Sequence, residues 1–362
     1  MFKQLFLLLI SSFLFSIKLV NAQTVSFTDT YQHLSDVTQG SIWNNVMYNT
    51  YGYTDTNAIV LSLATIDNIL LLGNTNLPGV SGARNIWQLN GNAWSNLSNT
   101  WINYHRSAPA TILPISLSET VIGYFDGSVQ DCHLNVCNYL ILNQHELGFG
   151  VSSLLHLNNN YFIGYTDINL GNNGQLTVYQ EANPGISSQQ FNVKGINSGV
   201  GKMATDYNYV YVPTKANGVL KVSLDGVNMT NITPVSLQNK EFVSVLYYVR
   251  NINTLYAGTS LANVYKVKLP INNGGDWVKL TNNSLSAKSY VSAIVTDNKN
   301  NLYVGLANLF APENGGELYM LKNGENEFYK EMNYTDKSSI SSMIIFNNNI
   351  YIATFAGNIW RN

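Results

Sequence analysis

Five histidines, His33, His105, His133, His145 and His156, are spread so that no two stand at a separation by which one strand or helix could hold a metal. No metal centre is therefore expected. His156 follows the apolar run Val151-Ser152-Ser153-Leu154-Leu155 and reads as a satisfied core or channel residue. Neither a Gly-x-Ser-x-Gly elbow nor a phosphate-binding glycine loop occurs. Holding a substrate carboxylate with guanidinium groups needs several converging arginines. Arg84, Arg106, Arg250 and Arg361 are available, but Arg361 sits in the terminal strand and no acid and nucleophile pattern goes with them. No catalytic residue is assigned, and no cofactor is expected.

Cys132 and Cys137 are five residues apart, in a stretch from Asp126 to Asn138 that reads as a long loop. In an oxidising compartment such a pair forms a disulfide. A metal reading would add His133 and His145, but Cys-His-x3-Cys lacks the paired spacing of structural zinc sites.

The residues best suited to recognition are aromatic and cationic. Trp101, Tyr104, His105 and Arg106 form one cluster, and Trp43, Tyr48, Tyr51 and Tyr53 a second one within the stretch Asp36 to Asn57. Arg84 and Arg106 are the only basic residues between Leu19 and Val193, against ten acids. A guanidinium beside aromatic faces offers bidentate hydrogen bonds and a stacking plane, which suits carboxylate-bearing or sugar ligands and protein hot spots. The competing reading is that the aromatics pack between structural units and that each arginine ties down its own loop.

What positions these residues is a repeated hairpin. Apolar runs end in a small residue at Gly73, Gly123, Gly164, Pro213, Gly258, Gly305 and Ala353, at steps of 50, 41, 49, 45, 47 and 48 residues. Each unit opens with an inner run such as Val60-Leu61-Ser62-Leu63-Ala64, turns at Asn-rich residues, and returns to the small residue. A variable loop and an alternating third strand follow, as in Asn85-Ile86-Trp87-Gln88-Leu89 and Glu317-Leu318-Tyr319-Met320-Leu321. Asn90-Gly91, Asn273-Gly274 and Asn323-Gly324 then predict hairpin turns before a fourth, aromatic strand at Trp94, Trp277 and Phe328.

Four antiparallel strands repeated seven times predict an all-β, seven-bladed β-propeller. The last unit stops at Asn362 without an outer strand. Val25 to Leu34 has the aromatic-then-leucine spacing to supply it, so the N-terminal strand is expected to close the ring. Six blades with an unrelated terminus is the alternative. The pattern resembles the broad class of WD40-like, YVTN-like and Asp-box (sialidase-like) propellers. Asn272-Asn273-Gly274-Gly275-Asp276-Trp277 keeps the Gly and Trp of an Asp-box, with Asn272 at its Asp, and the Trp-Asp dipeptide of WD40 blades is absent.

Lys3, the apolar stretch Leu5 to Ile17 and Val20-Asn21-Ala22 have the form of a signal peptide, residues 1–22, cleaved before Gln23. Residues 23–362 then make a single propeller domain, secreted or periplasmic, without a membrane span and expected as a monomer. Five Asn-x-Ser/Thr sequons, at Asn96, Asn228, Asn231, Asn282 and Asn333, are fewer than the about eight that composition alone would give. Net charge is −2, with no basic stripe, so nucleic acid is not an expected partner. The sequence thus points to a binding module that recognises a protein or glycan through its loop-rich face. The alternative is a propeller enzyme, a glycoside hydrolase or lyase-like protein acting on an exported carbohydrate.

Overall fold

The computed structural model describes residues 44–46, 58–76, 86–91, 93–97, 107–133, 136–141, 149–167, 173–181, 188–237, 241–281, 283, 285–286, 288–308, 311, 315–331 and 334–362. They form seven four-stranded antiparallel sheets arranged as the blades of a β-propeller. Blades one to six are continuous in sequence, and the inner strands run Ala58–Ile66, Pro109–Ser116, Phe149–Leu157, Ala204–Thr205, Val243–Val249, Tyr290–Thr296 and Ile340–Phe346. Six blades would have discarded one of these sheets.

The spacing of the small residues has a packing cause. The second strand of each blade lies against the start of the next blade's inner strand. A Cβ on Gly123 would stand 2.4 Å from Val151 Cγ1, and one on Gly258 would stand 2.3 Å from Val291 Cγ1. Bare backbone at that point lets successive blades close on each other. Seven apolar clusters result, each spanning one blade-to-blade interface around the ring. The core is therefore a circle of contacts between neighbours, as expected of a repeat architecture.

The inner strands share a second device. Their register slips by one residue at Leu61, Ala110, Ser152, Ser244, Ser292 and Ser341, a β-bulge at the same level in six blades. In blades three, five and six the bulged residue is a serine whose hydroxyl donates to the carbonyl of the repeated glycine: Ser152 to Gly164 at 3.0 Å, Ser244 to Gly258 at 3.1 Å and Ser292 to Gly305 at 3.1 Å. Blade four departs from the pattern because Pro213 holds the small-residue position and has no N–H for the ladder. Its inner strand shortens to Ala204–Thr205 and bonds sideways to blade five, Lys202 N to Ser244 O at 3.0 Å and Leu246 N to Lys202 O at 2.9 Å.

The ring closes through the N-terminal side, as the missing outer strand predicted, but at a different place. Asn44–Asn45 pairs with Ile359–Arg361, Asn44 opposite Arg361 and Asn45 opposite Trp360, and Val46 is buried with Trp87, Trp94, Phe346 and Tyr351. The expected partner, Val25 to Leu34, lies outside the described residues. The edge it pairs with, Ile359–Arg361, is three residues long.

Blade two corrects the reading of residues 126–138 as a long loop. Val129–His133 and Val136–Ile141 are its third and fourth strands, and Cys132 faces Cys137 across them in a disulfide. The polar residues Gln130, Asp131 and His133 hid the alternation. The Asn-rich turns are as read: Asn158-Asn159 and Asn347-Asn348 all take positive φ, as two-residue hairpin turns require. Asn273-Gly274 differs. Gly274–Asp276 is a short 3-10 turn capped by the Asn273 side chain, and Trp277 Nε1 donates to Ile232 O at 2.7 Å.

Candidate functional site

Second-to-third and blade-to-blade connections emerge on one face of the ring, and first-to-second and third-to-fourth connections on the other, where 181–188, 269–277 and 322–328 join third to fourth strands. Turns between first and second strands are short throughout: 67–68, 117–118, 158–159, 206–208, 250–253, 297–301 and 347–348. Connections between second and third strands, on the other face, are 125–128, 215–217, 260–263 and 355–358 in four blades but 77–85, 168–173 and 308–316 in the rest. Length variation on one face of a rigid scaffold is where recognition residues collect. Arg84, Trp101, Tyr104, His105, Arg106, Trp43, Tyr51 and Tyr53 all lie outside the described residues, as does Glu313, so their convergence is not described.

Three described carboxylates on the loop-rich face serve as anchors. Glu241 is 8% exposed and accepts from Thr259 Oγ1 and from Asn263 Nδ2 at 2.8 Å. Asp336 accepts from Thr354 Oγ1 at 3.2 Å, Asn358 Nδ2 at 2.9 Å and Trp360 Nε1 at 2.9 Å. Asp126 caps its own turn through the backbone N–H of Ser128 at 3.1 Å. Each ties a connector to the strand ends beside it, giving a stiff platform under the variable loops.

The central channel holds a cation that sequence reasoning passed over. One residue after the bulge level, each blade contributes a residue to the channel lining: Ser62, Thr111, Ser153, Lys202, Val245, Ala293 and Ser342. Ser153 Oγ accepts from Met203 N at 3.0 Å and Ser342 Oγ from Leu63 N at 3.3 Å, stitching neighbouring blades. Lys202 Nζ crosses from blade four to blade seven and donates to Ser341 O at 2.9 Å. Among the described residues lining the channel it alone is charged. Burial pushes its pKa down to about 8. The sequence signal was a lysine inside Gly199-Val200-Gly201-Lys202-Met203, where the other inner strands carry small or apolar residues.

A second group sits at the opposite end of blades two and three. His156 is not a channel residue: its ring stacks on Tyr161 at 4.4 Å, and its Nε2 is 3.8 Å from Glu181 Oε2. Tyr161 OH donates to Glu119 Oε1 at 3.4 Å. Burial, then repulsion from Glu119, raises the Asp131 pKa, and the fully buried Tyr161 hydroxyl is raised by burial and by Glu181. Among the described residues no group of three or more His, Cys, Asp or Glu is arranged to hold a metal ion.

The opposite face, that of the first-to-second turns, carries its own aromatic pair. Tyr207, 58% exposed and at φ +72°, lies beneath the Arg250 guanidinium at 5.2 Å, and Lys221 Nζ stands 3.9 Å over Tyr209. No described helix is long and apolar enough to cross a membrane.

No family model and no curated protein sequence matches the chain. Solved structures share its fold. The extracellular domain of a one-component system from B. thetaiotaomicron superimposes with a TM-score of 0.65 at 12% identity, covering 89% of this chain and 40% of that one. A catalytically inactive virginiamycin B lyase from Staphylococcus aureus, solved with quinupristin, gives 0.64 at 9% identity, covering 85% of this chain and 96% of the lyase. The mitotic checkpoint complex contributes a chain at 0.59 and 13% identity, with 92% and 98% covered. At such identities the likeness is one of fold alone.

Proposed function

We propose that the chain is an exported, non-catalytic propeller that recognises a protein or glycan through its loop-rich face. The observation that carries this reading is where the connecting chain collects: the second-to-third connections, extended over 77–85, 168–173 and 308–316, share one face with every blade-to-blade connector, so most residues between strands lie on that side of the ring. Glu241, Asp336 and Asp126 act as loop anchors on that face, which favours a positioned binding surface over a set of reacting carboxylates. The Cys132–Cys137 disulfide suits an oxidising compartment, and one neighbour in fold is an extracellular domain. Arg84, Arg106, Trp101, Tyr104 and His105, with Trp43, Tyr51 and Tyr53, supply the aromatic and cationic contacts in this reading.

A glycan array probed with residues 23–362, alongside capture of cell-surface proteins by the same material, tests it. Saturable binding that Arg106→Ala and Tyr104→Ala abolish at unchanged melting temperature supports the proposal. Turnover of a captured glycan, seen as product release over time, would overturn the non-catalytic part and favour the hydrolase or lyase reading.

A further inference from the structure

We propose that the central channel binds a short aliphatic carboxylate, its head group held by the Lys202 ammonium at the loop-rich mouth and its tail lying along the apolar wall below. Inner strands start at the loop-rich face, so Lys202 and Ser341, both near those starts, place the charge at that mouth. An ammonium has three protons, and here a single neutral carbonyl, Ser341 O, takes one of them. A cation partly withdrawn from bulk water is stabilised by a counter-charge, and the described residues lining the channel offer none.

The remaining lining fits an amphipathic anion. Thr111, Ser153 and Ser342 line the channel at the level of Lys202 and bring hydroxyls to it, donors suited to a carboxylate oxygen. Below them Leu154, Ile294 and Met343 give an apolar wall, and the cavity of about 400 Å³ falls in the range of small-molecule sites. Ser341 Oγ is buried and has no hydrogen-bond partner, although the equivalent serines in blades three, five and six donate to a carbonyl. An unspent donor therefore lies beside the atom that Lys202 now contacts. The low pKa of Lys202 agrees with a cation lacking its partner, and anion binding would raise it.

Calorimetric titration of the full mature chain with acetate, butyrate and hexanoate, against hexanol and sodium chloride, provides the test. Affinity is expected to rise with tail length, and hexanol and chloride are expected to give no saturable heat. Between pH 7 and pH 9.5 hexanoate affinity should fall on the order of thirty-fold, as Lys202 loses its proton in the empty channel. Tyr247 is the other titratable residue lining the channel, so the same titration on Lys202→Met separates the two. Lys202→Met should abolish binding and Lys202→Arg should keep it. Equal affinity for hexanol and hexanoate, or a pH-independent hexanoate affinity in the wild type, would overturn the proposal even if Lys202→Met failed to fold.

Discussion

Lys202 reaches from the fourth blade to the Ser341 carbonyl of the seventh, 2.9 Å away and 139 residues further along the chain. It ties opposite sides of the ring, whereas the seven apolar clusters among the described residues join neighbouring blades. The carbonyl is free to accept because Ser341 is the bulged residue of its strand, out of register with the ladder.

Burial of the same lysine makes stability depend on pH in a stated direction. The folded-state pKa of Lys202, about 8, lies below its ordinary 10.5, so between those values the unfolded chain binds more protons than the folded one. Wild-type stability should therefore rise relative to Lys202→Met as pH increases from 8 to above 10, and the difference should be constant below pH 7. Urea unfolding of both proteins across that range measures it. A gap that widens in favour of Lys202→Met on going alkaline would show that Lys202 is not held in this way.

Substitution at the repeated small residue should be costly for a local reason. Gly258→Ala places a methyl 2.3 Å from Val291 Cγ1, and relieving that contact means moving blade six outward. A loss of about 1–3 kcal/mol is expected from chemical denaturation. Gly275→Ala, whose added Cβ would meet only the Asn273 side chain at 3.0 Å, is the milder control.

Ring closure predicts a boundary for N-terminal truncation. A chain beginning at residue 44 keeps the pairing of Asn44 and Asn45 with Arg361 and Trp360, while one beginning at residue 47 loses it together with the buried Val46. The shorter chain should melt earlier and aggregate through the exposed edge of blade seven. Equal melting temperatures for the two would remove this strand from the closure.

The disulfide is read directly by mass. Exported protein should weigh two hydrogens less than its reduced form, with one peptide linking Cys132 to Cys137. Alkylation of both thiols without reductant would contradict it.

Much of this fold was legible because each cue has a repeated physical cause. Gly123, Gly164, Gly258 and Gly305 recur since every blade must admit the next one's inner strand, and Asn158-Asn159 and Asn347-Asn348 recur since the inner turns need positive φ. What escaped was whatever broke the repeat. Blade two's outer hairpin was read as loop because Asp131 and His133 interrupt its apolar alternation, and the disulfide sets its register instead. The closing strand was sought at Val25 to Leu34 by pattern, while Asn44–Asn45 is too short to show any periodicity. Lys202 escaped because nothing local in a strand reveals that its side chain crosses a channel to a residue three blades away.

Recognition through the loop-rich face is tested most directly by comparing its two faces. Arg106→Ala and Tyr104→Ala alter the loop-rich side, while Tyr207→Ala and Arg250→Ala alter the exposed aromatic and cationic pair on the side of the first-to-second turns. With a ligand or partner identified on the array, capture by all four variants is measured beside their melting temperatures. Loss of capture in the first pair, with wild-type capture in the second and folding intact throughout, is the expected result. Loss confined to Tyr207→Ala and Arg250→Ala would contradict it and place recognition on the face of the first-to-second turns.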